Sequence, residues 1–404
     1  MNKLIKYPLI ILSGLILIIA ALSFYSISNF PYVISFFEEK PRNKIFTIDQ
    51  LQLLTKSDVE FVTKTIIENH PGLHNKFDPE FTTILHLAHQ DALEAVHNVK
   101  TIEDHNEVMQ KYAKHFNDSH LNISTEVNLK NAPKDFFKVK NIELKEFMPN
   151  VAWFTIPTFN PNDEQQNDLN KIIDKLPIYR NHTLIIFDLR GNTGGDSYWG
   201  TKILEALFGE NYAKEKINNM DKNVYIDWRV SKDNLIYLAD LIKNLKKEFG
   251  NNDEGVIQRQ KLHDEMVIYL QKNIPLLCER DETNSKAFEN NLNLCYAKII
   301  VLMDKDTGSA SLRFIDELKS LNHYVKLFGQ TTGVDSLYMQ AREVALPSKL
   351  GHLILPMKVY RNRPRKNNEP YHPDVEFIGN IKYTKAVEEW VKKEINLWVL
   401  DAKY

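Results

Sequence analysis

The sequence predicts an α/β fold built on a parallel sheet, and three stretches carry that expectation. Thr183-Leu184-Ile185-Ile186-Phe187-Asp188 is an apolar run closed by an aspartate, Ala297 to Asp304 repeats the pattern, and Tyr324 to Gly329 reads as the next strand, closed by a glycine. Runs this short and apolar, bounded by turn residues, suit strands covered on both faces. Amphipathic spacing follows the first two, in Trp199 to Phe208 and Arg313 to Leu321. Before them, Val151 to Ile156 reads as a strand and Glu164 to Leu176 as a helix. With Leu184 to Asp188 they make a strand-helix-strand unit, for which right-handed parallel pairing is expected.

Composition sets the bounds. The chain has 404 residues, 43% hydrophobic and 26% charged, which fits a globular protein of one or two domains. A net charge of −2 argues against a polyanion-binding surface, so nucleic acid is not expected as a partner. No internal repeat or low-complexity tract is visible.

Residues 1–40 stand apart. Lys3 and Lys6 precede an uncharged run from Pro8 to Phe24, and no charge follows until Glu38. Those 17 residues sit at the short end of what spans a bilayer as a helix. Lysines on the leading side favour an N-terminus held in the cytoplasm. Two readings stay open: an uncleaved membrane anchor, or a cleaved signal peptide. The first makes the membrane a partner and places the rest of the chain in the cell envelope or periplasm; the second makes it secreted. Cys278 and Cys295 flank a polar loop, and in an oxidising compartment they either pair or remain two thiols.

Residues 41–125 read as a helical leader. Apolar residues recur at three- and four-residue spacing through Ile48 to Leu54, Val59 to Ile67 and Leu85 to Val96. Asp78-Pro79 and Thr101-Ile102-Glu103-Asp104 look like helix starts, the first an N-cap with proline, the second with acidic residues in its first turn. Between the Val59 to Ile67 and Leu85 to Val96 runs lies the turn Asn69-His70-Pro71-Gly72-Leu73, and the leader ends at Asp118-Ser119-His120, where a strand begins. Residues 126–404 form the core, interrupted at about 210–294 by an insertion read as helical from Asp233 to Phe249 and Val256 to Leu270. Extended segments at Val344 to Pro347 and His352 to Tyr360 and a helix from Thr384 to Leu400 close the chain.

Two residues carry candidate chemistry. Ser309 follows a glycine at a strand-to-helix turn, where a hydroxyl is exposed beside amides able to hold an oxyanion. Alone, that pattern is more often a plain helix cap. His120 stands at the start of a strand, and an imidazole with an ordinary pKa near 6.5 deprotonates a hydroxyl at neutral pH when a polar partner orients it. No HExxH-type spacing occurs among the histidines, so no metal and no other cofactor is expected.

In order along the chain, the Asn69 to Leu73 turn, Asp118-Ser119-His120 and Asp188-Leu189-Arg190-Gly191-Asn192-Thr193-Gly194-Gly195 resemble the S41 serine peptidases. Thr307-Gly308-Ser309-Ala310-Ser311, Gly329-Gln330-Thr331-Thr332-Gly333 and His372-Pro373-Asp374-Val375 continue the series. That family includes the C-terminal processing proteases and the tricorn core protease. The resemblance covers roughly residues 47–380 apart from the insertion, and leaves no room for a PDZ domain. It implies a ClpP/crotonase-like ββα-type core sheet with flanking helices, and a peptide or protein tail as substrate. It implies Ser309 as nucleophile, with the amides of Gly194, Gly195 and Ala310 as oxyanion hole. The processing proteases take their base from a lysine about 25 residues after the serine; here that count reaches Val334, and no lysine lies between Gln330 and Gln340. The tricorn-like branch uses Ser-His-Ser-Glu, which assigns His120 as base with Ser119 and Glu369 in support. Asp188 and Arg190 read as a buried pair shaping the turn, and His70 and His372 as structural. Leu312 replaces the family's glutamate after Ser-Ala-Ser, and with the missing lysine it supports the alternative of a catalytically inactive peptidase-like binding or scaffold protein.

Overall fold

A computed structural model describes residues 46–125, 141–280 and 292–401. The N-terminal apolar segment, on which the anchor and signal readings rest, lies outside the described residues. Among the described residues no helix is long and apolar enough to cross a membrane.

The leader forms helices α1 (Ile48–Asn69), α2 (Phe81–Val96) and α3 (Ile102–Lys114). Thr47 and Gln50 start α1 with a reciprocal capping box, and Thr101 and Asp104 do the same for α3. Asp78 does not cap α2, as its sequence position suggested. Glu80 holds the cap position without a side-chain bond, and the Asp78 carboxylate instead accepts from the Tyr338 hydroxyl at 2.7 Å.

The core sheet is assembled from β2 (Glu143–Met148), β3 (Val151–Thr155), β4 (Leu184–Asp188), β7 (Lys298–Met303), β8 (Val325–Gly329) and β11 (Val375–Glu376), in the spatial order β11-β8-β7-β4-β3-β2. All neighbours are parallel except β2, which runs antiparallel to β3 on one edge. Successive side chains of a strand point to opposite faces. Ile185, Phe187, Ile299 and Val301 face one way, onto α5 (Ser197–Phe208) and α9 (Ala310–Leu321). Leu184, Ile186, Ile300 and Leu302 face the other way, onto Val387, Val391 and Ile395 of α10 (Thr384–Asp401). Both faces are dry, which is why these strands read as unbroken apolar runs. Helix α4 (Asp163–Lys175) makes the crossover between β3 and β4 and begins at an Asn162 capping box.

A second sheet is centred on the long strand β10 (Gly351–Arg361). It pairs β9 (Tyr338–Ala345) on one side, and β1 (Asn122–Thr125) then β5 (Tyr225–Arg229) on the other, with β6 (Leu276–Arg280) beyond β5. Segment 210–294 is therefore more than helical. Its first helix, α6 (Glu210–Asp221), places Ala213 and Ile217 in the main core, and its strands β5 and β6 extend the second sheet under α7 (Lys232–Phe249) and α8 (Glu254–Gln271). Both cysteines are free, Cys295 buried and Cys278 exposed.

Parallel register sets up the site. Asp188 at the end of β4 lies opposite Leu302 near the end of β7, so the turns leaving both strands emerge side by side. Leu189 N–H donates to Leu302 O at 2.8 Å, and Gly308 N–H to Asn192 O at 3.0 Å. A glycine-rich turn and the Ser309 turn are thereby locked together at the carboxyl end of a parallel sheet, where open α/β folds place their ligands.

Candidate active site

Ser309 sits in backbone strain. Its φ of 51° and ψ of −119° lie outside the regions that side-chain-bearing residues favour, a conformation that costs about 1–3 kcal/mol and persists only when its surroundings enforce it. They do. Asp304 Oδ1 accepts from Gly191 N at 2.9 Å, Thr307 Oγ1 donates to Leu189 O at 3.0 Å, and Ser311 Oγ donates to Asn192 O at 3.0 Å. The sharp turn leaves the Ser309 hydroxyl at the N-terminus of α9, while the neighbouring Ser311 hydroxyl is consumed inside the turn.

The glycine turn approaches closely enough to exclude any side chain. A Cβ on Gly194 would stand 2.7 Å from Ser309 Cβ and 2.9 Å from Ala310 N; one on Gly195 would meet the Phe159 carbonyl carbon at 2.2 Å. Asn192 braces this turn from within, donating through Nδ2 to Ile156 O at 3.0 Å and accepting the Gly194 amide at 2.9 Å. The Gly194 N–H is thus already engaged, so of the three amides named from sequence it is the one turned away from an oxyanion. Those of Gly195 and Ala310 donate to no protein acceptor among the described residues. Below the turn, Arg190 forks onto Asp188 at 2.7 and 2.6 Å and reaches Ile381 O at 2.7 Å, tying the strand end to the segment before α10.

His120 arrives from the leader. Its backbone N–H donates to Asp118 Oδ1 at 2.9 Å, which shapes the turn entering β1. Behind it, His70 Nδ1 accepts from Gly72 N at 2.9 Å, so the neutral ring carries its proton on Nε2, 3.8 Å from Asp118 Oδ2. Burial lowers the His70 pKa from its ordinary value, although Asp118 opposes the shift. The ring stacks on Phe81 with centroids 4.6 Å apart. His120 Nε2 lies 3.4 Å from Ser309 Oγ. That is in reach but longer than the usual hydrogen bond.

The other two residues named as supporting groups are placed differently. Ser119 Oγ accepts from Ser336 N at 3.4 Å, and Glu369 is exposed, its carboxylate accepting from Lys366 N at 2.7 Å. Neither makes a hydrogen bond or ion pair to His120 or Ser309 among the described residues. The carboxylate that does reach the histidine is Asp335, which sequence reasoning missed. Asp335 Oδ1 stands 3.8 Å from His120 Nε2, and its side chain is 1% exposed. Its other oxygen accepts from Arg363 at 2.8 Å and Arg365 at 3.2 Å. Arg365 also holds Asp316 of α9 at 3.0 Å. The only sequence signal was position: Asp335 immediately follows Val334, where the count for the missing lysine ended.

A serine at a strained strand-to-helix turn, unengaged amides beside it and an imidazole in reach form the parts list of an acyl-transfer site. The model of peptidase family S41 matches residues 150–377. The chain belongs to that family. Among solved structures, mature CPAF complexed with lactacystin is similar at 12% identity, over 86% of this chain and 99% of that one, with a TM-score of 0.54. A point mutant of CPAF matches at 10% identity over 86% and 98%, with a TM-score of 0.52. The tricorn protease matches at 11% identity over 88% of this chain and 38% of its own, with a TM-score of 0.43. At such identities the CPAF likeness establishes the shared mixed α/β fold. No curated protein matches this S41 chain in sequence.

Proposed function

We propose that this S41 peptidase cleaves peptides or protein tails by acyl transfer, with Ser309 as nucleophile and His120 as base. The observation that carries the reading is the 3.4 Å approach of His120 Nε2 to Ser309 Oγ beside the unengaged amides of Gly195 and Ala310. The Ser309 proton passes to Nε2 while Oγ bonds to the scissile carbonyl carbon, and the carbonyl π electrons move onto oxygen. The Gly195 and Ala310 amides, with the N-terminal dipole of α9, stabilise that oxyanion. The imidazolium returns its proton to the leaving amine as the C–N bond breaks, and water repeats the cycle on the acyl-enzyme.

The test is labelling with a fluorophosphonate probe, wild type against Ser309→Ala. Label that depends on Ser309 supports the peptidase. A wild type that binds peptide yet takes no Ser309-dependent label returns the protein to the binding or scaffold reading, which the missing lysine supports.

The apolar run from Pro8 to Phe24 behind Lys3 and Lys6 supports an extracytoplasmic placement, anchored in the membrane or secreted after cleavage. Alkaline carbonate extraction and N-terminal sequencing of the mature chain separate these two outcomes.

A further inference from the structure

We infer that Asp335 is the positioning carboxylate of this site, and that it acts on the same imidazole nitrogen that faces Ser309. The inference rests on the Ser309–His120 reading above. For Nε2 to accept the Ser309 proton, the neutral ring must carry its own proton on Nδ1. The Nε2 lone pair then faces both Ser309 Oγ, at 3.4 Å, and Asp335 Oδ1, at 3.8 Å. A lone pair and a carboxylate oxygen have no proton to share, and 3.8 Å is wider than a hydrogen bond. In the resting state the contact therefore contributes little. Once Nε2 takes the proton, a cation stands directly against the carboxylate. An interaction weak in the ground state and strong in the transition state is the kind that accelerates a reaction.

The surroundings prepare Asp335 for this. Oδ2 is saturated by Arg363 and Arg365, and Oδ1 is buried with no hydrogen-bond partner. Arg363 Nη2 and Asn368 N–H both hold the Asp335 carbonyl, at 3.0 Å each. The adjacent Ser336 N–H bonds Ser119 Oγ, which fastens this loop to the turn that carries His120. The charged groups around the imidazole are Asp335 across from it and Asp118 beneath its own backbone, with Arg363 and Arg365 behind Asp335 and Asp316 behind Arg365. Of the side chains among these, Asp335 is the one that lies against the ring nitrogen. Its Oδ1 gains a donor when Nε2 takes the Ser309 proton.

The experiment compares the full chain with Asp335→Asn by the rate of fluorophosphonate labelling across about pH 5 to pH 8, the range in which imidazole titrates. The titration of His120 is followed by NMR in the same proteins. Loss of the anion makes the charged ring less favourable. The acid limb of labelling and the NMR midpoint should both move down by about one unit or more, the size of a close opposite-charge effect. The maximal labelling rate should fall about 100-fold, within the range of general acid–base contributions. Asp335→Glu, which keeps the charge, should restore part of both. Where Asp335→Asn leaves the arginines too poorly matched to fold, Asp335→Asn with Arg363→Gln removes the excess cation. It should shift the midpoint in the same direction by less, because Asp335 is nearer the ring. An unmoved midpoint and limb, with Ser309-dependent labelling intact, overturn the role of Asp335 and leave the peptidase standing. A wild type without Ser309-dependent label overturns both.

Discussion

Gly194→Ala tests the site through sterics alone, leaving every side chain assigned to the chemistry in place. The added methyl carbon would stand 2.7 Å from Ser309 Cβ, 2.9 Å from Ala310 N and 2.9 Å from Gly308 O. Carbon atoms settle at about 3.5–4.0 Å, so the two turns must separate by roughly 1 Å. Two of the three obstructing atoms are backbone and cannot rotate away. A φ of +104° adds strain of about 1–3 kcal/mol for any residue with a side chain. Displacement of about 1 Å at a reacting atom costs on the order of 100-fold in rate. Fluorophosphonate labelling of Gly194→Ala should therefore slow about 100-fold in a chain that still folds, with thermal unfolding reporting the stability loss. Gly250→Ala is the control, since its φ is +87° but nothing lies within 4 Å of the new methyl. It should lose about 1–3 kcal/mol from strain and label at the wild-type rate. Equal labelling by Gly194→Ala and wild type would refute the claim that the glycine turn seats Ser309.

His120→Ala should abolish labelling, whereas Lys326→Ala on β8 should leave it largely intact; equal loss from Lys326→Ala would mean that the base is a lysine after all. A separate prediction concerns stability against pH. Asp58 and His105 are buried beside one another at 3.5 Å, burial raising Asp58 to about 6 and lowering His105 to about 4. Between about pH 4 and pH 6 the folded chain holds the Asp58 proton more tightly than the unfolded chain, which lowers stability as pH rises. Up to about pH 6.5 the unfolded chain holds the His105 proton more tightly, which raises stability as pH rises, and the two slopes nearly cancel. Asp58→Asn removes the first, so in denaturant melts that variant should gain about 3 kcal/mol more than wild type does from pH 4 to pH 6.5. Parallel profiles in variant and wild type would show that burial does not raise Asp58 in the folded chain.

The strands of the parallel sheet were legible because both of their faces are dry, so each residue from Leu184 to Phe187 had to be apolar. β5, β6 and the start of β9 were not, because most of their residues are half-buried and carry polar side chains such as Asp227, Glu279 and Gln340. The 210–294 segment that holds β5 and β6 looked purely helical for that reason. Ser309, His120, Gly195 and Ala310 could be named from motifs because each sits in a local turn whose chemistry is written in adjacent residues. Local order misled where a side chain had a nearer partner: Gly194 gives its amide to Asn192, and Glu369 folds back on Lys366.

By itself, then, the sequence determined the apolar strands, the strained serine turn and the histidine turn, all properties of short contiguous stretches. Only the tertiary structure decided which carboxylate meets the histidine. Asp335 is an unremarkable loop residue until the leader turn lays His120 against it and Arg363 and Arg365 occupy its other oxygen. A charge pair between distant segments depends on distance and burial, which composition and spacing do not encode.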